Sequence, residues 1–295
     1  MTESPNVSTP RGGIVRVIRG LQAVTHPDWR GWAVASFLSG LLKIIRPRAK
    51  RIDANLRLVH PDWDEGRRRT LRREVYENLA WTVTEVLALQ RNPEQALEWV
   101  TEVEGREVME SLFRDKRGAI LMSGHFGNWE LIGSWYGQTA EKHGRAFRIV
   151  YQEIHDRNIA LLVNEYRERA GMPMMVKETS TLEMARMLRE GDHIAILTDV
   201  SWSGGLRLPF MGQLCTNSAG PAVLSMLGNA PIVPAALYRQ APFHHTVRFL
   251  PPISVPREGK RDERLKQAVL NINHALETLI APRPELWFWL HNRWK

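Results

Sequence analysis

Apolar positions recur along the chain with two different spacings, and the change between them falls near residue 118. Between 67 and 91, Leu71, Val75, Leu79, Val83 and Val86 recur at helical spacing with arginines and glutamates on the other faces, which predicts an amphipathic helix. From 118 onward short apolar runs replace that period. "GAILMS" at 118–123, "AFRIVY" at 146–151, "HIAILT" at 193–198, "PIVPAAL" at 231–237 and "TVRFL" at 246–250 predict strands, the first four apolar nearly throughout, as in a sheet covered on both faces. Helices are predicted at 156–170, 181–189 and 218–227, the second opened by Ser180 or Thr181 and closed by Gly191. A final helix over 262–280 carries Leu265, Val269, Ile272, Leu276 and Leu279. The alternation predicts an α/β fold, a mixed and largely buried sheet flanked by helices. In such sheets chemistry gathers outside the strand ends.

The N-terminal stretch follows neither pattern. "MTESPNVSTP" is polar and shows no cleavable signal, while "RGGIVRVIRGLQAV" at 11–24 alternates arginine with aliphatics, as a helix lying on a surface would. "GWAVASFLSGLLKIIRPR" at 31–48 is the most apolar stretch, yet its uninterrupted part is shorter than the roughly 20 residues a spanning helix needs, and it contains Lys43. The expectation is a membrane-associating segment over 1–50, monotopic or a single N-terminal anchor, with an ordinary buried helix of the catalytic domain as the alternative for 31–48 and "RPRAKR" at 46–51 suited to an anionic cytoplasmic leaflet. A domain over 51–295 follows, helical over 51–110 and α/β over 111–295. "HPDW" occurs at 26–29 and again at 60–63, and turn chemistry accounts for both copies.

Composition narrows the possible partners. A chain of 295 residues with 43% hydrophobic residues buries a substantial core, which argues against disorder. A formal net charge of +8 favours polyanions: nucleic acid, an anionic membrane or a phosphorylated substrate. Eleven tryptophans tilt that choice towards a membrane interface. Nucleic acid would require basic residues clustered with stacking aromatics or a recognition module, and neither is visible. The single cysteine, Cys215, excludes an intrachain disulfide and has no local nucleophile signature, so a buried small side chain is expected there.

The segment that carries chemistry is "SGHFGNWE" at 123–130, directly after the first apolar run. On one continuous helix His125 and Glu130 would sit about 140° apart and would not face each other. If the strand ends near Ser123, two glycines turn the backbone and Asn128 caps a helix whose first turn holds Glu130, so the carboxylate can swing back to the imidazole. A carboxylate on one ring nitrogen fixes the tautomer and raises the basicity of the other, which describes a general base. The alternative is a satisfied core histidine beside a favourable first-turn acid. No metalloprotease spacing, phosphate-binding loop or G-x-S-x-G elbow is present, so neither a metal nor a cofactor is expected and no serine is marked as a nucleophile.

"GHFGNWE" resembles the H-x4-[DE] block of the lysophospholipid acyltransferase superfamily, and its form is similar to the branch containing the late acyltransferases of lipid A biosynthesis. "NLRLVHPDW" at 55–63, "ENLAWTVTE" at 77–85, "REGDHIAILTD" at 189–199, "LPFMGQLCTNSAGPAVLSMLGNAPIVP" at 208–234 and "HNRWK" at the end extend the similarity over roughly residues 50–295. The resemblance implies a glycerolipid acyltransferase-like fold and transfer of an acyl chain, from acyl carrier protein or acyl-coenzyme A, to a hydroxyl of a membrane glycolipid. It places the enzyme on the cytoplasmic face of a bacterial inner membrane. The acceptor it implies is a lipid A precursor, with a lysophospholipid, an ornithine-type lipid or a mannosylated lipid as alternatives. Carried onto this chain, His125 is the base, Glu130 its orienting partner and the Gly127 backbone an oxyanion donor, with direct attack on the thioester and no acyl-enzyme. Asn128, Arg167, Arg169, Asp199 and Arg207 are the implied substrate-binding residues, with a solvated helix face equally open for Arg167 and Arg169. Two positions depart from the branch: Val200 follows Asp199 where Gln is common, and Gln152 stands where Arg is often found.

Overall fold

The computed structural model describes residues 12–151, 156–176 and 179–295, so Gln152 and the N-terminal "MTESPNVSTP" lie outside the described residues. Four helices come first: α1 Gly13–Val24, α2 Trp29–Ile45, α3 Ala49–Val59 and α4 Glu65–Leu89. They are followed by α5 Gln95–Trp99, β1 Val100–Glu104, α6 Arg106–Arg114, β2 Ala119–Ser123, α7 Trp129–Lys142, β3 Phe147–Tyr151, α8 Arg157–Arg169, β4 Met174–Val176 and α9 Thr181–Arg189. The chain continues through β5 His193–Leu197, β6 Leu206–Phe210, β7 Gln213–Asn217, α10 Gly220–Gly228, β8 Ile232–Ala241, β9 His244–Phe249 and α11 Arg261–Ile280. All five predicted strands are present, as β2, β3, β5, β8 and β9. The predicted helix over 67–91 is α4, capped by the Asp64 carboxylate, which accepts from Arg67 N–H at 2.8 Å.

Seven strands form one sheet in the order β1-β9-β8-β2-β5-β3-β4. The five from β8 to β4 are parallel; β9 runs antiparallel to β8, and β1 pairs parallel with β9. β1 comes from the stretch read as helical over 51–110 and forms the sheet's edge. The alternation along β2 shows why its run is wholly apolar. Ala119 and Leu121 join the cluster around Trp135, Tyr136 and Phe147 on one face, while Ile120 and Met122 join Met184, Leu188, Leu224 and Ile272 on the other. Each Leu, Ile, Met or Phe side chain among these, fully buried, contributes roughly 1.5–3 kcal/mol. β6 and β7 form a separate antiparallel hairpin.

The predicted helix in the 31–48 stretch is α2. It packs on α4, and its buried residues Gly31, Ala35 and Ser39 are small and spaced about one turn apart. A side chain at Gly31 would run into the His26 carbonyl and the Phe243 ring. The opposite stripe carries Trp29 (75% exposed), Phe37 (66%) and Ile44 (80%). No helix among the described residues is long and apolar enough to cross a membrane.

Candidate active site

The chain leaves β2 at Ser123 and enters α7 at Trp129 through a five-residue loop, 124–128, the strand-loop-helix arrangement read from the sequence. Two positions fix that loop. Gly127 has φ +56°, and a Cβ there would meet the Leu237 carbonyl oxygen, so only glycine fits. Asn128 is fully buried at the N-cap of α7: its Oδ1 accepts from Leu131 N–H at 3.0 Å, and its Nδ2 donates to Glu85 on α4 at 3.0 Å.

Glu85 is itself wholly buried and accepts from Arg239 Nε (2.9 Å), Arg239 Nη2 (2.8 Å) and His245 Nε2 (3.0 Å). Burial pushes its carboxyl upward, but the Arg239 and His245 charges outweigh that and hold it well below the usual carboxylate range. A charged network spanning α4, β8 and β9 thus clamps the cap of α7.

The imidazole of His125 is held by Asp199, not by Glu130. Asp199 accepts the His125 backbone N–H at 2.7 Å on one oxygen and Nδ1–H at 2.8 Å on the other, with the Trp287 indole N–H at 3.0 Å as a third donor. Sheet register explains this pairing. Ser123 on β2 is opposite Leu197 on the adjacent parallel strand β5, so residues two positions past each strand emerge side by side. Glu130 turns to α8, where its carboxylate pairs with Arg167: Nε donates at 2.8 Å, and Nη2 makes a second bond in parallel. A largely buried guanidinium demands a carboxylate, and Glu130 is the one that faces it. No hydrogen bond joins Glu130 to His125 among the described residues; Glu130 acts on the imidazole only through its charge.

Burial disfavours the imidazolium, but the Asp199 carboxylate outweighs it, so His125 titrates above the ordinary histidine value. The Asp199 carboxyl, raised by burial and lowered more strongly by His125, falls to about 2 and stays ionised. With Nδ1–H committed to Asp199, the neutral ring keeps Nε2 as a proton acceptor. His125 and Arg167 both line a cavity of about 590 Å³ whose walls include Trp129, Ile149, Met184, Leu197, Val200 and Leu224. A basic nitrogen and a guanidinium at the edge of an apolar chamber can deprotonate a hydroxyl and stabilise an oxyanion beside a bound hydrocarbon chain.

The other expected site residues are placed as follows. The side-chain polar atoms of Asn128 and Asp199 are bonded inside the protein, as helix cap and imidazole partner. The Gly127 N–H, expected as an oxyanion donor, donates to the Leu286 carbonyl at 2.8 Å. Arg169 donates to the Arg91 carbonyl at 3.3 Å and lines a different cavity with Arg19 and Glu165. Arg207 is exposed on β6, opposite Thr216, and is absent from the described lining of the chamber. Cys215 is buried, as expected, and burial pushes its thiol upward, away from nucleophile chemistry.

Two residues of the site escaped sequence reasoning. Trp287 completes the hold on Asp199, and fully buried Arg293, in the closing "HNRWK", donates to the carbonyls of Val200 (3.2 Å) and Thr216 (2.7 Å), fixing the chain just past Asp199. Only Arg293 lies in the closing motif; nothing in the sequence singled out Trp287.

Comparison with known proteins adds identity to this geometry. The chain is 25% identical over 258 residues to the lipid A biosynthesis lauroyltransferase of Escherichia coli (strain K12), covering 86% of this chain and 81% of that one. It is 22% identical over 257 residues to the lipid A biosynthesis palmitoleoyltransferase of the same strain, covering 85% and 81%. A phosphatidylinositol mannoside acyltransferase of Mycolicibacterium smegmatis is 28% identical over 123 residues, 40% of this chain and 39% of that one. The family described as bacterial lipid A biosynthesis acyltransferase matches residues 21–295, which contain every element of the site, and the chain therefore belongs to that family and is an acyltransferase.

Proposed function

We propose that this enzyme moves a fatty acyl chain from an acyl thioester, carried by acyl carrier protein or coenzyme A, to a hydroxyl of a lipid A precursor or a closely related glycolipid. The observation that carries the reading is His125, braced by Asp199 behind and opening in front onto an apolar chamber of about 590 Å³ that suits the acyl chain. His125 Nε2 takes the proton of the acceptor hydroxyl as its oxygen attacks the thioester carbonyl. The Arg167 guanidinium, positioned by Glu130, stabilises the tetrahedral oxyanion. Collapse expels the thiolate, which recovers the proton from His125. Similarity to a mannoside acyltransferase supports a mannosylated lipid as the second acceptor class.

Incubation of the enzyme with acyl thioester and a purified lipid A precursor, read by mass spectrometry, should add one acyl mass to the acceptor. With donor alone the protein mass should stay unchanged, since the buried Cys215 is no nucleophile. Transfer to a lysophospholipid but to neither glycolipid would overturn the acceptor class.

The site is proposed to work at the cytoplasmic face of the inner membrane, on an anionic surface. The apolar stripe of Trp29, Phe37 and Ile44 supports this, since α2 already buries its other face on α4. Replacing the three by serine should shift the enzyme about tenfold or more from vesicle pellet to supernatant, at an unchanged unfolding temperature, because little native burial is lost. Full retention on vesicles would place the contact elsewhere.

A further inference from the structure

Away from the chamber, five cations converge on a second cavity, of about 320 Å³, between α2 and α4: Lys43, Arg46, Arg69, Arg72 and Arg73, with Tyr76 as the sixth lining residue. No carboxylate is among the described residues that line it. Lys43 is offset by Glu77 at 3.1 Å, and Arg72 is paired with Asp53. For Arg46, Arg69 and Arg73 no ion-pair partner occurs among the described residues. Arg46 caps the C-terminal end of α2, and its Nε donates to the Lys43 carbonyl at 3.2 Å, which leaves both terminal nitrogens for a ligand.

Like charges held around one concavity repel one another, and the repulsion is relieved by an anion that enters it. Guanidinium forks match the oxygens of a phosphate group and bind it with charge-assisted hydrogen bonds. The surroundings specify the kind of phosphate. Ile44 and Ile45, 80% and 63% exposed, stand directly beside Arg46, so apolar surface and cation lie next to each other, complementary to the acyl chain and phosphate of an anionic lipid. Tyr76 is buried and its hydroxyl donates to the Pro47 carbonyl at 3.0 Å, so it offers no face for base stacking. Cations that converge into a hollow fit a single compact anion better than the spread acidic helix of a carrier protein.

We propose that the cavity between α2 and α4 is a binding site for one phosphate monoester of an anionic lipid headgroup, separate from the acyl chamber. The source of that phosphate rests on the membrane-surface reading; the site itself does not.

Calorimetric titration of the full chain with soluble dihexanoyl phosphatidic acid should saturate at about one lipid per chain, as one convergent set of donors requires. Arg69→Gln/Arg73→Gln should weaken it about tenfold or more, because two charge-assisted contacts are lost. Arg257→Gln/Lys260→Gln, which removes the same charge from another exposed site, should leave it near wild type. Equal loss in both variants, or none in the cavity variant, would overturn the site. Inorganic phosphate should compete only weakly; competition as strong as the lipid's would overturn the headgroup as the source. An acidic carrier protein that binds through Arg69 and Arg73 while phosphate and lipid do not would also overturn it. His125→Ala should bind the lipid as wild type does, so a failure of the acyl-transfer chemistry and a failure of this site are told apart.

Discussion

Replacing His125 with alanine should lower acyl transfer by about 100-fold or more while leaving folding and lipid binding intact, because the imidazole is proposed to remove the acceptor proton in the transition state. Asp199→Asn should be comparably severe, and it adds a pH signature. The working base is neutral imidazole, so the wild-type rate should fall as pH drops through a His125 pKa held above the ordinary value. Removing the carboxylate takes away what raised that pKa, while burial still lowers it, so the acidic limb should move to lower pH as the plateau rate falls. Glu130→Gln should move the limb in the same direction but less, since Asp199 stays, and lower the plateau through a loosened Arg167. An active His125→Ala enzyme, or a limb that moves with Glu130 and not with Asp199, would sink the assignment. Pre-steady-state rates across pH on the three variants provide the check.

The second large effect is expected in stability. Glu85→Ala strands the Arg239 guanidinium, 7% exposed, without its carboxylate, and breaking a buried pair in this way typically costs about 3–5 kcal/mol. It also removes the acceptor of Asn128 Nδ2, so the cap of α7 loosens. The double variant Glu85→Ala/Arg239→Ala should be clearly less destabilised than the sum of the two single variants, since neither charge is then left alone. Urea unfolding of the four proteins measures the coupling. Additive losses, or a single-variant cost below about 1 kcal/mol, would show that the network contributes little.

Much of the frame was legible because it is local. Leu71, Val75 and Leu79 declare α4 by their spacing, and "GAILMS" declares β2 by being apolar on both sides of the pleat. The glycines and Asn128 declare the turn into α7 for the same reason: φ at Gly127 and the cap at Asn128 are settled within a few residues. Partner choice was not local. Glu130 is five residues from His125 and Asp199 is 74 away, yet Asp199 holds the ring, because β5 lies beside β2 and no chain-neighbour rule reports that order. Glu85 sat unremarked inside "ENLAWTVTE" since its partners come from β8 and β9, about 150 residues on. The short strands β1 and β4 and the hairpin of β6 and β7 were missed where apolar runs were brief or interrupted by proline, as at Pro209.

Asp199 also limits how protons can travel. With three donors already on its two oxygens and a pKa near 2, it is a far weaker base than the ring it holds, so the relay ends at His125. In the proposed mechanism the proton lifted from the hydroxyl goes back out on the departing thiol, and the enzyme finishes each turnover in the state in which it began. A cycle that borrows one proton and returns it needs no traffic with bulk water, so the mouth of the chamber can stay stoppered by lipid throughout the reaction.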